Sequence, residues 1–466
     1  MKNMKFRIIF IVVLTLFLVS CNYTPKMDTS TEIATPMKKF SESGKDKIDK
    51  YWWKSFNDIK LNSYISTGLN KNLDITIAWD RVEQAQALAK KAGASMLPTL
   101  NASAGYTFTT PSSRISATPS TDSDDFDSMI SLGLSASYEI DLWGRISAGK
   151  KAAGFDFHAS ELDFQTTALT ISSSIATCWY QLVQQFSKLK LLNSQLELNE
   201  KFLELVKKNY SQGQALLSDI YQQQQQISAK QSEITLVKMQ IELFENVLAL
   251  LLAETPEYKI DVEVDKLPAL PPLPATGIPA DLLNRRPDIQ AAYIRVAAAN
   301  ERIGEAIANR YPKLSISANY SGKGDTFETL FSDWILNLAS NLTQPLFDGG
   351  KLKTEVERNN AATHEKLHTY KKLVLSAYKE VEDALITEKK RIEYKQKLIK
   401  QYELAQKSLV VLRNNYQNGS AQYLNVINQI KSMQSLEIQL LEVDLTLLIN
   451  RISLYKSLAG SLQITK

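Results

Sequence analysis

The chain has 466 residues, 44% of them hydrophobic, and a formal charge of +4. Lys2, Lys5 and Arg7 supply three of its 54 basic side chains, which leaves 51 bases against 50 acids in the remainder. A near-neutral chain has no electrostatic footprint for nucleic acid, and three histidines leave little for acid–base catalysis.

Residues 1–20 read as a signal peptide. The three basic residues precede an apolar run, Ile8 to Leu18, that is too short for a membrane-spanning helix. Leu18-Val19-Ser20-Cys21 has the form of a bacterial lipobox, which makes Cys21 the expected lipid-attachment residue. Asn22 behind it suits a lipoprotein sent on to the outer membrane. With Cys21 acylated, Cys178 has no partner for an intrachain disulfide, and its setting, IATCWYQL, reads as helix core. Residues 21–50 are polar and form an expected tether. Order is expected from Tyr51-Trp52-Trp53 onward.

Leu73 to Ala94 reads as a helix that Pro98 ends. From there apolar and small residues alternate: Leu100, Ala102, Ala104, Tyr106 and Phe108 against Asn101, Ser103, Gly105, Thr107 and Thr109. After a Ser/Thr/Asp-rich loop the alternation resumes, with Leu132, Leu134, Ala136, Tyr138 and Ile140 against Ser131, Gly133, Ser135, Ser137 and Glu139. Period two marks a strand with unlike solvents on its two faces. The strand ends at Trp143-Gly144-Arg145, and about 65 proline-free residues follow, on the order of 100 Å if helical. Ile234, Val237, Ile241, Phe244, Leu248 and Leu251 recur at near-heptad spacing, as do Leu189, Leu192, Leu196, Asn199, Leu203 and Val206. That spacing predicts helix-on-helix packing. Gln222 to Gln226 reads as a solvated face.

The chain then repeats itself. Asp74-Ile75 and Pro98 recur as Asp288-Ile289 and Pro312 at an offset of 214. Gly144-Arg145 and the turn NYSQG (209–213) recur as Gly350-Lys351 and NYQNG (415–419) at an offset of 206. The shorter second hairpin loop absorbs the difference. The expected organisation is a first repeat over 51–261, a proline-rich connector over 262–287, a second repeat over 288–460 and a tail over 461–466. The hairpins fall at 99–142 and 313–346, and the long helices at 145–254 and 351–459. Gly322-Lys323-Gly324-Asp325 is read as the second hairpin loop. Four amphipathic strands cannot close a membrane barrel, and an open edge in lipid leaves backbone groups unpaired, so strands must pool between copies. Periodicity does not choose the number of copies.

The segment LLNRRPDIQAAYIRVAAANERIGEAIANRYPKLSISANY (282–320), the WWKSF motif, the strand exits IDLWGR and QPLFDGGK and the paired NYxxG turns together resemble the TolC-like outer-membrane efflux proteins, in their lipid-anchored, nodulation-protein-T-like branch. The resemblance implies a mainly α fold with a transmembrane β-barrel. It implies a homotrimer whose 12 strands, four per chain, close one barrel above a long periplasmic α-helical tunnel. Such a protein is no enzyme and carries no cofactor. It is a passive exit duct in the outer-membrane lipid, docked on a periplasmic membrane-fusion adaptor and an inner-membrane pump of the resistance-nodulation-division type. An exit duct for type I protein secretion is the alternative. The resemblance makes Tyr210, Gly213 and Gly419 tip-turn residues that dock the adaptor. It makes Asp219, Tyr416, Asn425 and Asn428 residues of a periplasmic gate. Asn425 and Asn428 stand where the family's best-known members carry aspartates, and Ala421 stands where an arginine locks the tip. The gate is therefore expected to be held by packing and by hydrogen bonds around Asp219 and Tyr416. Trp143 and Trp334 are expected in the interfacial aromatic belts.

His364-Glu365-Lys366-Leu367-His368 matches the H-E-x-x-H zinc pattern letter for letter. It lies in the middle of a predicted rod where no cleft is expected, so no catalytic or metal site is assigned. A zinc hydrolase or a purely structural coiled-coil lipoprotein are the readings outside transport. The structural one has no use for four amphipathic strands.

Overall fold

The computed structural model describes residues 39–46, 49, 51–109, 127–262 and 266–458. The signal peptide, Cys21 and most of the tether therefore lie outside the described residues, as do the C-terminal tail and much of the first hairpin loop. The chain is mainly helical, with one sheet. α1 is Ile59–Lys71, α2 Leu73–Ala94, β1 Thr99–Thr109, β2 Asp127–Ile140, α3 Arg145–Ser211 and α4 Leu217–Leu251. The second half gives α5 Asp281–Arg285, α6 Pro287–Ala308, β3 Lys313–Gly324, β4 Trp334–Thr343, α7 Lys351–Gln417 and α8 Tyr423–Leu458. The repeat is thus α2-β1-β2-α3-α4 followed by α6-β3-β4-α7-α8. α3 and α7 have 67 residues each. No described helix is long and apolar enough to cross a membrane.

The chain divides into two compact units. The first joins Val82–Ser160 to Ala292–Tyr370 and holds the sheet. Its strands run antiparallel in the order β1-β2-β3-β4. β3 extends through Gly324, so Gly322 and Gly324 belong to the strand and not, as expected, to the loop. The loop instead turns back over the strand end: a Cβ at Gly324 would stand 2.4 Å from Leu330 N, and one at Gly322 2.7 Å from Leu330 O. Only glycine permits that approach, and Leu330 is buried by it. At the opposite end of the sheet, the Trp143 indole N–H donates to Pro312 O at 2.8 Å and its ring stacks on Tyr311. Asp141 caps α3 by accepting from Ile146 N and Ser147 N, at 3.0 and 2.7 Å.

The second unit comprises the remaining helical parts with the connector. Trp52 is fully buried and stacks on Tyr455. Asp58 caps α1 through Leu61 N at 2.9 Å and accepts from the Trp179 indole at 2.7 Å, so one carboxylate ties two segments 121 residues apart. Cys178 is buried, as expected, and burial pushes its thiol up to about 12. The tether docks before Tyr51, earlier than expected. Asp46 bridges Pro274 in parallel, Gly44 N donates to Pro274 O at 3.0 Å and Ala275 N donates to Asp46 O at 2.7 Å. From residue 266 to 278 the connector carries no helix, as its prolines demand, and α6 opens on Pro287, whose missing N–H costs nothing at a first helical position. Arg451, 1% exposed, clamps the connector: it pairs with Glu388 at 2.6 and 2.9 Å and donates to the carbonyls of Pro271 and Pro272.

Candidate functional site

Directly paired residues of an antiparallel sheet share a face. The register aligns Leu100, Ala136, Ala318 and Leu338 in one rung and Ala102, Leu134, Tyr320 and Leu336 in the next. On the other face the neighbouring rung is Asn101, Ser135, Asn319 and Asn337. Leu134 and Leu338 therefore lie on an apolar face, 47% and 74% exposed in the single chain, and Ser135 and Asn337 on a small, polar one. Apolar surface of that extent left open on a sheet requires an apolar neighbour. Trp334 stands on the apolar face, packed on Tyr320 at 4.8 Å, level with Leu132 and Gly322. Trp143 follows the opposite end of β2. Some ten residues separate the two levels, roughly 30 Å along a strand and roughly 23 Å along the normal of a barrel whose strands tilt by about 40°. β1 and β4 are the sheet's two edges, and both are exposed throughout apart from a half-buried Trp334.

At the other end of the helices the two NYxxG turns take one geometry. Gln214 N donates to Asn209 O and Gly213 N to Tyr210 O; Ser420 N donates to Asn415 O and Gly419 N to Tyr416 O. Each is a paired C-terminal closure with glycine in the left-handed region, at φ 74° and 72°. Tyr210 is exposed beside the first turn. Asp219 lies at the start of α4, where its carboxylate accepts from Leu216 N at 3.0 Å and closes the helix end. Tyr416 is buried with Phe202, Val206, Ile220, Tyr423, Val426, Ile427 and Ile430, and burial raises its phenol above the ordinary range. Its hydroxyl approaches Asn209 without closing a well-formed hydrogen bond, and Asp219 is spent on its own helix. Packing is therefore evident around Tyr416, and the hydrogen bond seen at Asp219 is the one that closes its own helix start. Asn425 and Asn428, at i and i+3 on α8, are both exposed and share a face.

A buried polar seam above the tips went unread in the sequence. Gln223, expected on a solvated face, is fully buried: it accepts from the Tyr423 hydroxyl at 2.5 Å and donates to Asn199 O at 2.6 Å. Gln434 donates to Asn199 Oδ1 at 3.4 Å, and Gln195 donates to Gln434 O and Glu437 at 3.2 and 2.7 Å. The buried stripe of α3 is Leu192, Gln195, Asn199, Phe202 and Val206, one position off the Leu196 and Leu203 of the expected stripe. His364, Glu365 and His368 are exposed on α7, and no group of three His, Cys, Asp or Glu side chains poised for a metal occurs among the described residues.

The profile of the outer membrane efflux proteins matches residues 64–254, within the first repeat, and 278–460, the end of the connector with the second repeat. The chain belongs to the outer membrane efflux protein family. The pyoverdine export outer membrane protein OpmQ of Pseudomonas aeruginosa is 30% identical over 456 residues, covering 96% of this chain and 95% of the relative. Nodulation protein T of Rhizobium leguminosarum is 27% identical, covering 89% of this chain and 88% of the relative. The solved outer-membrane channel OprN superposes with a TM-score of 0.84 at 24% identity, covering 95% of this chain and 98% of that one, so the TolC-like channel fold is shared. As a member of the efflux family, the protein is an outer-membrane exit duct of a tripartite efflux system.

Proposed function

We propose that three copies of the chain pool their sheets into one 12-stranded barrel. The observation that carries this reading is the four-stranded sheet itself, apolar and exposed on one face and open at both edges. Each unpaired backbone group at an edge in hydrocarbon costs several kcal/mol, and closure between copies removes every such edge. Leu134, Leu338 and Trp334 then face lipid, with Trp143 and Trp334 near opposite interfaces, and Ser135 and Asn337 line the lumen. Cys21 holds the N-terminus to the membrane by its lipid. The tip turns at Tyr210, Gly213 and Gly419 dock a periplasmic adaptor, which delivers cargo from a pump of the resistance-nodulation-division type. The likeness to a pyoverdine export protein favours small molecules over secreted proteins as cargo. The duct does no chemistry on what it conducts. Asn425 and Asn428 ring the proposed gate.

Native mass spectrometry of the detergent-extracted protein, followed by planar-bilayer recording, tests the reading. A trimer that conducts ions supports it, and a monomer without conductance overturns it.

A further inference from the structure

The three histidines of the chain, His158, His364 and His368, have no part in the duct described above. Their placement follows the repeat. α3 and α7 follow the same end of the sheet, since Ile140, Leu314 and Leu342 share a rung. His158 and His364 are each the fourteenth residue of their helix, related by the 206-residue offset. At 1.5 Å per residue both stand roughly 20 Å from the helix start. His368 adds a second imidazole one turn beyond His364, and all three are exposed. The position that corresponds to His368 in the first repeat is Leu162, so α7 alone carries a pair.

Side chains at i and i+4 have Cβ atoms about 5–6 Å apart. At that spacing two imidazoles can converge on one ion with metal–nitrogen bonds of about 2.0–2.1 Å. The carboxylates nearby are engaged: Glu357 pairs with Lys353 at 3.8 Å and Glu365 with Lys366 at 3.4 Å. Lys371 and Lys372, one turn further on, oppose a cation only through a screened surface field. We propose that His364 and His368 form an open two-imidazole chelate for a borderline divalent transition-metal ion of the copper, nickel and zinc class, with water completing the coordination. An ion held by two protein ligands is exchangeable, unlike one in an enclosed catalytic centre. It would occupy one level of the helical segment just beyond the sheet. Imidazole donors select such ions over magnesium and calcium, and copper binds most tightly.

The test uses untagged full-length protein in detergent. Calorimetric titration with nickel chloride should give one site per chain, and magnesium chloride should give none. Electron paramagnetic resonance with one equivalent of copper per chain should show two coordinating imidazole nitrogens. His364→Ala and His368→Ala should each weaken nickel binding by roughly tenfold or more, whereas His158→Ala should leave it unchanged. All three positions are exposed, so circular dichroism should be the same for every variant. The proposal is overturned by no saturable nickel binding in the unaltered protein. It is equally overturned by binding that survives the double variant, by loss of the site in His158→Ala, or by a one-imidazole copper spectrum.

Discussion

Gly213 and Gly419 are glycines because of their backbone and not because of their surroundings. A Cβ at either would meet nothing within 4 Å, yet both hold φ above 70°. An alanine there should cost about 1–2 kcal/mol of strain, an asparagine less, read as a lowered unfolding midpoint with conductance retained. Arg451 and Glu388 pose the opposite case, a buried pair whose charges need each other. Glu388→Gln leaves the guanidinium without its counter-charge and should cost about 3–5 kcal/mol. Arg451→Met with Glu388→Leu should unfold at a higher temperature than Glu388→Gln alone, and the reverse order would remove the pair from the account of stability. Asn425 and Asn428 supply a functional prediction. Without acidic rings at the proposed gate, trivalent cations should block the unaltered channel weakly, and Asn425→Asp with Asn428→Asp should make it strongly blockable. Equal block in both proteins would place the constriction elsewhere. Because both asparagines are exposed on the single chain, the double variant should still assemble.

At the scale of the element, the sheet was legible because its two faces meet different surroundings on every second residue. The register bears this out rung by rung, and it gives the sharpest contrast. Leu134→Arg puts a charge on the apolar face at a cost of about 2–4 kcal/mol near the membrane midplane, and Ser135→Arg, one residue on, points the other way. Leu134→Arg should deplete assembled, heat-modifiable oligomer in outer-membrane fractions, and Ser135→Arg should spare it. Equal depletion would reverse the membrane assignment. The helices were legible only in part. Their spacing predicted packing, and Asn199 is buried as its place in the stripe requires, but α3 buries Gln195 where the spacing pointed to Leu196. Gln223, inside a run of five glutamines, looked like its neighbours. It is singled out by Tyr423, 200 residues away, which no local pattern can announce.

Across the whole molecule the duplication sets the plan. Each repeat turns a sheet exit into a 67-residue helix and closes it with the same glycine turn. The halves have diverged where they need not match: the connector joins them once, and the described end of the tether, Gly44 to Asp46, lies against it. If Cys21 is the anchor, Cys21→Ser should abolish labelling by a radioactive fatty acid and slow signal processing. The barrel should still insert, because the apolar strand face is unchanged. Label retained in that variant would assign the lipid to another residue.

The sequence by itself determined what depends on neighbours along the chain: the strands, the long helices, the tandem repeat and the glycine turns. Period, proline and glycine act locally, so they can be read locally. Tertiary structure alone decided which polar side chains go inside. Gln223 and Arg451 are buried because partners more than 20, and mostly more than 60, residues away pair with their side chains, and Gln195 donates to Gln434 and Glu437 across the same distance although its Oε1 finds no partner among the described residues. A buried polar group without such a partner would cost about 1–3 kcal/mol, and the partner exists only once the fold has brought it there.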